Sequence, residues 1–206
     1  MKNFATEKLL AVIVPGLLIL VGCVNLGPGT VSSTRLYVLA PLAASEAAEH
    51  HGALKDVTLG VGPLIFPEYL NRPQIVTRIA NNEIGTAVFA NWAEPLQRIF
   101  ERVLAENLAL LLGNDAVYTH PWRSTLVPTY RIVPEVIRFD AEPKGDAVLS
   151  VRWEVIDARG QQVIPRKKTV VRQAVREDDD AAVVTAMSRA LADFSRKVAD
   201  EVAALN

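Results

Sequence analysis

Chemistry in this sequence has few places to start. The single thiol, Cys23, closes the run Leu20-Val21-Gly22-Cys23 directly behind the apolar segment Leu9 to Val21. Only a thiolate is a strong nucleophile at that position, and one cysteine can form no disulfide within its own chain. The three histidines are His50, His51 and His120. His50 and His51 are neighbours and so cannot share a helix face, and no further Cys or close His completes a metal set; a surface loop is the preferred reading. Asp178-Asp179-Asp180 can hold a divalent cation, yet acids at a helix start also meet the positive end of the helix dipole, and capping is preferred. Arg166-Lys167-Lys168, the one basic run, suits a charged edge strand that resists pairing; its sharper reading is contact with a lipid phosphate or a partner. There is no Gly-x-Ser-x-Gly elbow, His-Glu-x-x-His pair, Walker loop or Rossmann fingerprint. No catalytic residue, metal or bound cofactor is therefore nominated, although a hydrolytic pair among the many carboxylates stays open.

The leader gives the thiol its setting. Lys2 and Lys8 precede an apolar core that falls within the ~7–15 residues of a signal peptide and short of the about 20 needed to span a bilayer. Its ending resembles a bacterial lipobox. That resemblance implies a signal peptide over 1–22, cleavage between Gly22 and Cys23, a diacylglycerol on the Cys23 sulfur and a third acyl chain on its new amino group. The alternative is a buried structural cysteine. At about 0.8 kcal/mol per buried methylene, several acyl chains anchor where one would be marginal. The mature protein is expected to be tethered, not spanning, and Val24 in the place after the cysteine resembles an outer-membrane address.

Positioning falls to the rest of the chain. The formal net charge of −1 lacks the basic excess of a nucleic-acid binder, and half the residues are apolar, which excludes a disordered chain. Residues 23–34 read as a flexible tether of small residues and turn formers, and 35–206 as one α+β domain. Strands are expected at Arg35–Leu39, Asp56–Val61 (alternating Val57, Leu59, Val61), and around Ile75–Arg78 and Ile84–Phe89 as a hairpin turned at Asn81-Asn82. Asn91 then caps a helix with Pro95 in its first turn. Its apolar face is Leu96, Ile99, Phe100, Val103, Leu104, Leu108 and Leu111, and Gly113 stops it. Tyr130–Phe139, Val148–Ile156 and Gln162–Val175 form an antiparallel meander, in which Pro134 requires a bulge or an edge. A final helix presents Val184, Met187, Leu191, Phe194, Val198 and Val202. The expected fold is a mixed sheet with two long amphipathic helices packed on it.

Taken together, the sequence resembles the PqiC/YmbA lipoproteins, the ABC-type transport auxiliary lipoprotein component. The resemblance rests on the lipobox at Cys23, on Tyr37-Val38-Leu39, and on Pro67-Glu68-Tyr69-Leu70 leading to Arg72-Pro73-Gln74-Ile75-Val76. It continues through Trp92-Ala93-Glu94-Pro95-Leu96, Trp153 and Gly160. It implies a non-catalytic lipoprotein of the Gram-negative outer membrane that faces the periplasm. Its partners would be an MCE-domain protein and a membrane permease in lipid transport, with a homo-oligomeric ring as one arrangement. Tyr69, Arg72 and Trp92 are the candidate docking residues, since aromatics and arginines beside prolines make strong interface anchors; packing of Tyr69 and Trp92 between sheet and helix is the other reading. Two further classes stay open: a lipid- or lipopolysaccharide-binding assembly lipoprotein, and an envelope hydrolase.

Overall fold

The computed structural model describes residues 33–47, 57–142 and 145–205. Gly22, Cys23, the tether to residue 32, His50 and His51 lie outside them. In chain order the elements are β1 (Arg35–Tyr37), α1 (Ala44–Ala47), β2 (Leu59–Val61), a 3-10 turn (Glu68–Leu70), β3 (Gln74–Ala80), β4 (Glu83–Trp92), α2 (Leu96–Leu112), β5 (Val117–Thr119), β6 (Tyr130–Ala141), β7 (Asp146–Asp157), β8 (Gln162–Ala174) and α3 (Asp180–Ala203). The strands make one mixed eight-stranded sheet, so the fold is α+β as the patterns predict.

The meander is the backbone of this sheet. β6 pairs antiparallel with β7 along its length and β7 with β8. Alternation then decides the faces: Leu149, Val151, Trp153 and Val155 are buried while Arg152 between them is exposed. α2 and α3 cover that apolar face. Every residue of both expected helical stripes is buried, from Leu96 to Leu111 on α2 and from Val184 to Val202 on α3. Phe100 meets Phe139 edge-on at 5.5 Å and Trp153 meets Phe194 at 6.1 Å. Such rings and aliphatic chains each contribute about 1.5–3 kcal/mol on full burial, before chain entropy is subtracted.

Helix ends follow local chemistry. Gly113 takes the left-handed conformation (φ 57°) and its amide reaches the carbonyls of Ala109 and Leu110, closing α2 as expected. Asp179 accepts a hydrogen bond from the Ala182 amide at 2.7 Å, so the acidic run caps α3. The start of α2 departs from expectation. Asn91 lies inside β4, paired with Leu36 on one side and Gln74 on the other, and Pro95 is the capping position. Two strand partners hold Asn91 extended where one side-chain cap would have bent it.

Pro134 also departs from expectation, since β6 is flanked on both sides and the one bulge lies between Val136 and Arg138. The Pro134 carbonyl accepts from Ile65 and the Val136 amide donates back to Ile65, as the Tyr130 amide does to Thr58, so up to Val136 the even residues of β6 turn their amides away from β7. On that side β2 has ended at Val61, and no strand asks Pro134 for a donor. Pro165 stands on the edge strand β8, at the register break opposite Trp153 and Val155.

The first segment is stitched across both helices. β1 pairs parallel with β4 through only three residues, after which Leu39 and Leu42 enter the core. The Ala40 amide donates to Ser188 Oγ on α3 at 3.1 Å, and the Leu42 amide to Asn107 Oδ1 on α2 at 2.8 Å. Asn107 is fully buried, and its Nδ2 donates to Ser195 Oγ of α3 at 3.1 Å. One amide side chain thus satisfies the entering chain and joins the two helices. Asn107→Leu removes both bonds and strands the Leu42 amide in the core, a loss expected at about 1–3 kcal/mol. Urea unfolding should show a lower midpoint with an unchanged slope; an unchanged midpoint would mean the stitch carries nothing.

Candidate docking site

The Pro-bracketed stretch forms a rigid corner. Pro67 accepts from the Leu70 amide at 3.0 Å and Glu68 from Asn71 at 3.0 Å, and the Arg72 amide donates to Leu70 at 2.9 Å. Leu70 is buried beneath the turn. Pro73 then fixes the entry to β3, and its carbonyl takes the Trp92 amide at 2.7 Å. The corner is therefore bolted to the point where β4 hands over to α2.

A pocket of about 310 Å³ lies at that joint, with Asn71, Arg72 and Pro73 on one side and Trp92, Glu94 and Pro95 on the other. Two of the three candidate residues meet here. Trp92 is only 4% exposed and is a core residue. Arg72 is exposed, and among the described residues its guanidinium has no hydrogen-bond or ion-pair partner. Glu94 is engaged by Arg102 at 2.9 Å. What the site offers a partner is one unpaired cation beside prolines, a geometry for a carboxylate with an apolar neighbour.

Tyr69 faces the other way, into a charge cluster that the sequence did not reveal. Its hydroxyl donates to Asp140 Oδ2 at 2.8 Å. Asp140 has no exposure at all, and Arg78 (3.0 Å) and Arg138 (2.7 Å) bind its two oxygens. Arg138 continues to Glu142 at 2.9 Å, and Arg78 lies over the Tyr69 ring at 6.0 Å. Burial first, and then the Asp140 charge, push the Tyr69 hydroxyl from 10.0 to about 12. A lone aspartate near a strand end carries no signature; the one available signal was two arginines, at 78 and 138, on strands whose pairing is non-local.

The basic run is largely committed. Arg166 pairs with Glu135, Lys167 with Glu201, and Lys167 also sits 4.8 Å over the Trp153 ring. Edge protection accounts for it. Among the described residues no group of three or more metal-ligating side chains occurs, and no helix is long and apolar enough to cross a membrane.

Titration tests the cluster. A tyrosine whose folded value is raised stabilises the fold fully below its unfolded value, and that contribution disappears as pH rises through the folded one. Stability should therefore fall from pH 10 towards about 12, where Tyr69 finally ionises. Tyr69→Phe should flatten that fall. Asp140→Asn should cost more at neutral pH, about 3–5 kcal/mol, because two arginines lose a buried counter-charge. Tyrosinate absorbance and urea unfolding across this range check both; an Asp140→Asn protein as stable as the parent would contradict the cluster's role.

A family model described as the ABC-type transport auxiliary lipoprotein component matches residues 37–199, from β1 to the last turns of α3. Among solved structures, an uncharacterized protein shares the fold at 20% identity and TM-score 0.67, over 82% of this chain and 99% of that one. A DUF330 protein from Xanthomonas campestris is similar at 16% identity and TM-score 0.65, over 82% of this chain and 95% of its own. No curated protein matches the sequence. With the match running through nearly every element described above, the chain belongs to the ABC-type transport auxiliary lipoprotein components, the family of the PqiC/YmbA type.

Proposed function

We propose that this protein is a non-catalytic, lipid-anchored subunit of an MCE/ABC-type system that moves lipid across the envelope, and that it docks the MCE protein at the outer membrane. The supporting observation is the family match over 37–199, which starts close behind Cys23. A transport auxiliary needs position more than chemistry. In this reading Cys23 carries a diacylglycerol and an N-linked acyl chain, 1–22 is the signal peptide, and 24–34 reaches from the bilayer to β1. Val24 supports the outer membrane as the address, with the domain in the periplasm of a Gram-negative cell.

The folded part suits that task. The chain enters through β1 and is at once hydrogen-bonded to α2 and α3 through Asn107 and Ser188, so the pull of a tether is received by the core. Arg72 beside its pocket then supplies the contact to a partner carboxylate. Its neighbours are held by the turn, the strand junction and the helix start, so little ordering entropy opposes docking.

The test is an affinity pull-down of the full-length lipoprotein from cross-linked envelopes. An MCE-domain protein should come with it, less when Cys23→Ala removes the anchor, and at least about tenfold less for Arg72→Ala, the loss of one charge-assisted contact. Unchanged recovery with Arg72→Ala would move docking elsewhere, and absence of any MCE-domain protein from the wild-type sample would sink the proposal.

A further inference from the structure

A second pocket, of about 290 Å³, lies between residues 122–128, Arg131 at the start of β6 and Ala158 just after β7. Its construction starts from a missing side chain. Tyr118, Gly60, Arg131 and Ile156 stand side by side across β5, β2, β6 and β7. Paired residues share a face, and Leu59 and Val61 on either side of Gly60 are fully buried against the core. This row therefore lies on the sheet face away from α2 and α3. At Gly60 the row has a gap, and the Trp122 ring and Pro128 fill it: a Cβ there would come within 2.9 Å of Pro128 Cγ and 3.0 Å of the indole. His120 holds the indole edge-on at 5.1 Å. The loop is pinned at both ends, by the His120 amide on Val61 at 2.9 Å and by Thr129 Oγ1 accepting from Thr58 at 3.2 Å.

What this seat presents is cationic and partly apolar. Arg123 and Arg131 line the pocket with Ser124, and neither guanidinium has a hydrogen-bond or ion-pair partner among the described residues. By contrast Arg78, Arg102, Arg138, Arg152 and Arg166 are all ion-paired. The acids on the adjoining strand are engaged, Asp157 by the turn amides of Arg159 and Gln161 and Glu154 by Gln162. Leu126 and Val127 form an apolar rim, and Val127 is 69% exposed. Two planar forks, a hydroxyl and an apolar lip are the complement of a phosphate ester attached to hydrocarbon.

We infer that the pocket of Trp122, Arg123, Ser124, Val127 and Arg131 binds the phosphate of a glycerophospholipid headgroup, with the first part of the glycerol and chains against Leu126 and Val127. This deepens the transport reading and rests on it for the choice of lipid. The strand directions set the pocket apart from the start of β1. The register places it at the start of β6, whereas β1 begins at Arg35, beside the β4 residues that pair, through β3, with the far end of β6. A headgroup here lies at the opposite end of the strands from Arg35.

Trp122 supplies the readout, because Trp92 and Trp153 are buried at 4% and 1% exposure. Full-length protein in a nonionic, phosphate-free detergent is titrated with dihexanoyl-phosphatidylglycerol, with inorganic phosphate, with uncharged dihexanoylglycerol and with an acidic peptide, following tryptophan fluorescence; Trp122→Phe is the control. The phospholipid should give a saturable change that Trp122→Phe abolishes. Arg123→Gln, on the exposed loop, and Arg131→Gln should each weaken it about tenfold or more. Equal affinity for inorganic phosphate would overturn the lipid assignment in favour of a free anion. A response to dihexanoylglycerol equal to that of the phospholipid would overturn the phosphate's role, and a response to the peptide alone would give the site to a protein partner. No saturable response to any probe would overturn the site itself. Since no MCE protein is present, these outcomes are independent of the pull-down.

Discussion

Asp140 keeps a carboxylate wholly out of water, and such a charge is tolerable only if every side of it is answered. The answers come from three separate pieces of chain: Tyr69 from the 3-10 turn, Arg78 from β3, and Arg138 from β6 itself. Because each partner is needed, the turn cannot drift from the strands. The corner that ends in Arg72 inherits that fixity, and so does the joint with Trp92 and the start of α2. A buried ion pair is weak ground for overall stability, but here it specifies where an exposed cation stands relative to the sheet.

The N-terminal segment solves a similar problem with neutral groups. A chain that enters a fold through three strand pairs would fray easily. Here the amides of Ala40 and Leu42 are taken up by Ser188 and Asn107, and Leu39 and Leu42 are sunk in the core. Under the proposed lipid anchor this is the region that bears load. An auxiliary subunit held by acyl chains on one side and by a partner on the other needs its first strand to be among the last parts to release.

Local chemistry was readable in the sequence and non-local chemistry was not. The two helices, the Gly113 stop, the Asp179 cap and the meander all follow from spacings within about twenty residues, where periodicity speaks directly. The alternation of Val57, Leu59 and Val61 marks the strand at β2, whereas the three residues of β5 have no period to read, and the place of β2 between β5 and β6 is set by partners far along the chain. Asn91 shows the limit most clearly: its type favours a cap, and two strands outbid that preference. Among the candidate docking residues, the sequence located the corner but could not tell which side chains face outward. Arg72 does, Trp92 is in the core, and Tyr69 serves Asp140. The Trp122 pocket was invisible for the same reason, since it depends on Gly60 and Arg131 being neighbours across two strands.

In the proposed function the exposed corner at Arg72 touches an MCE-domain partner while the lipidated end holds the protein at the membrane. A photo-reactive amino acid placed at position 72 of the full-length protein, irradiated in living cells, tests this most directly, with an equivalent placed at Arg152 on the open sheet face as reference. Position 72 should give an adduct with an MCE-domain protein and position 152 none. Adducts from position 72 that contain only further copies of this chain, or an MCE adduct formed from position 152 alone, would contradict it.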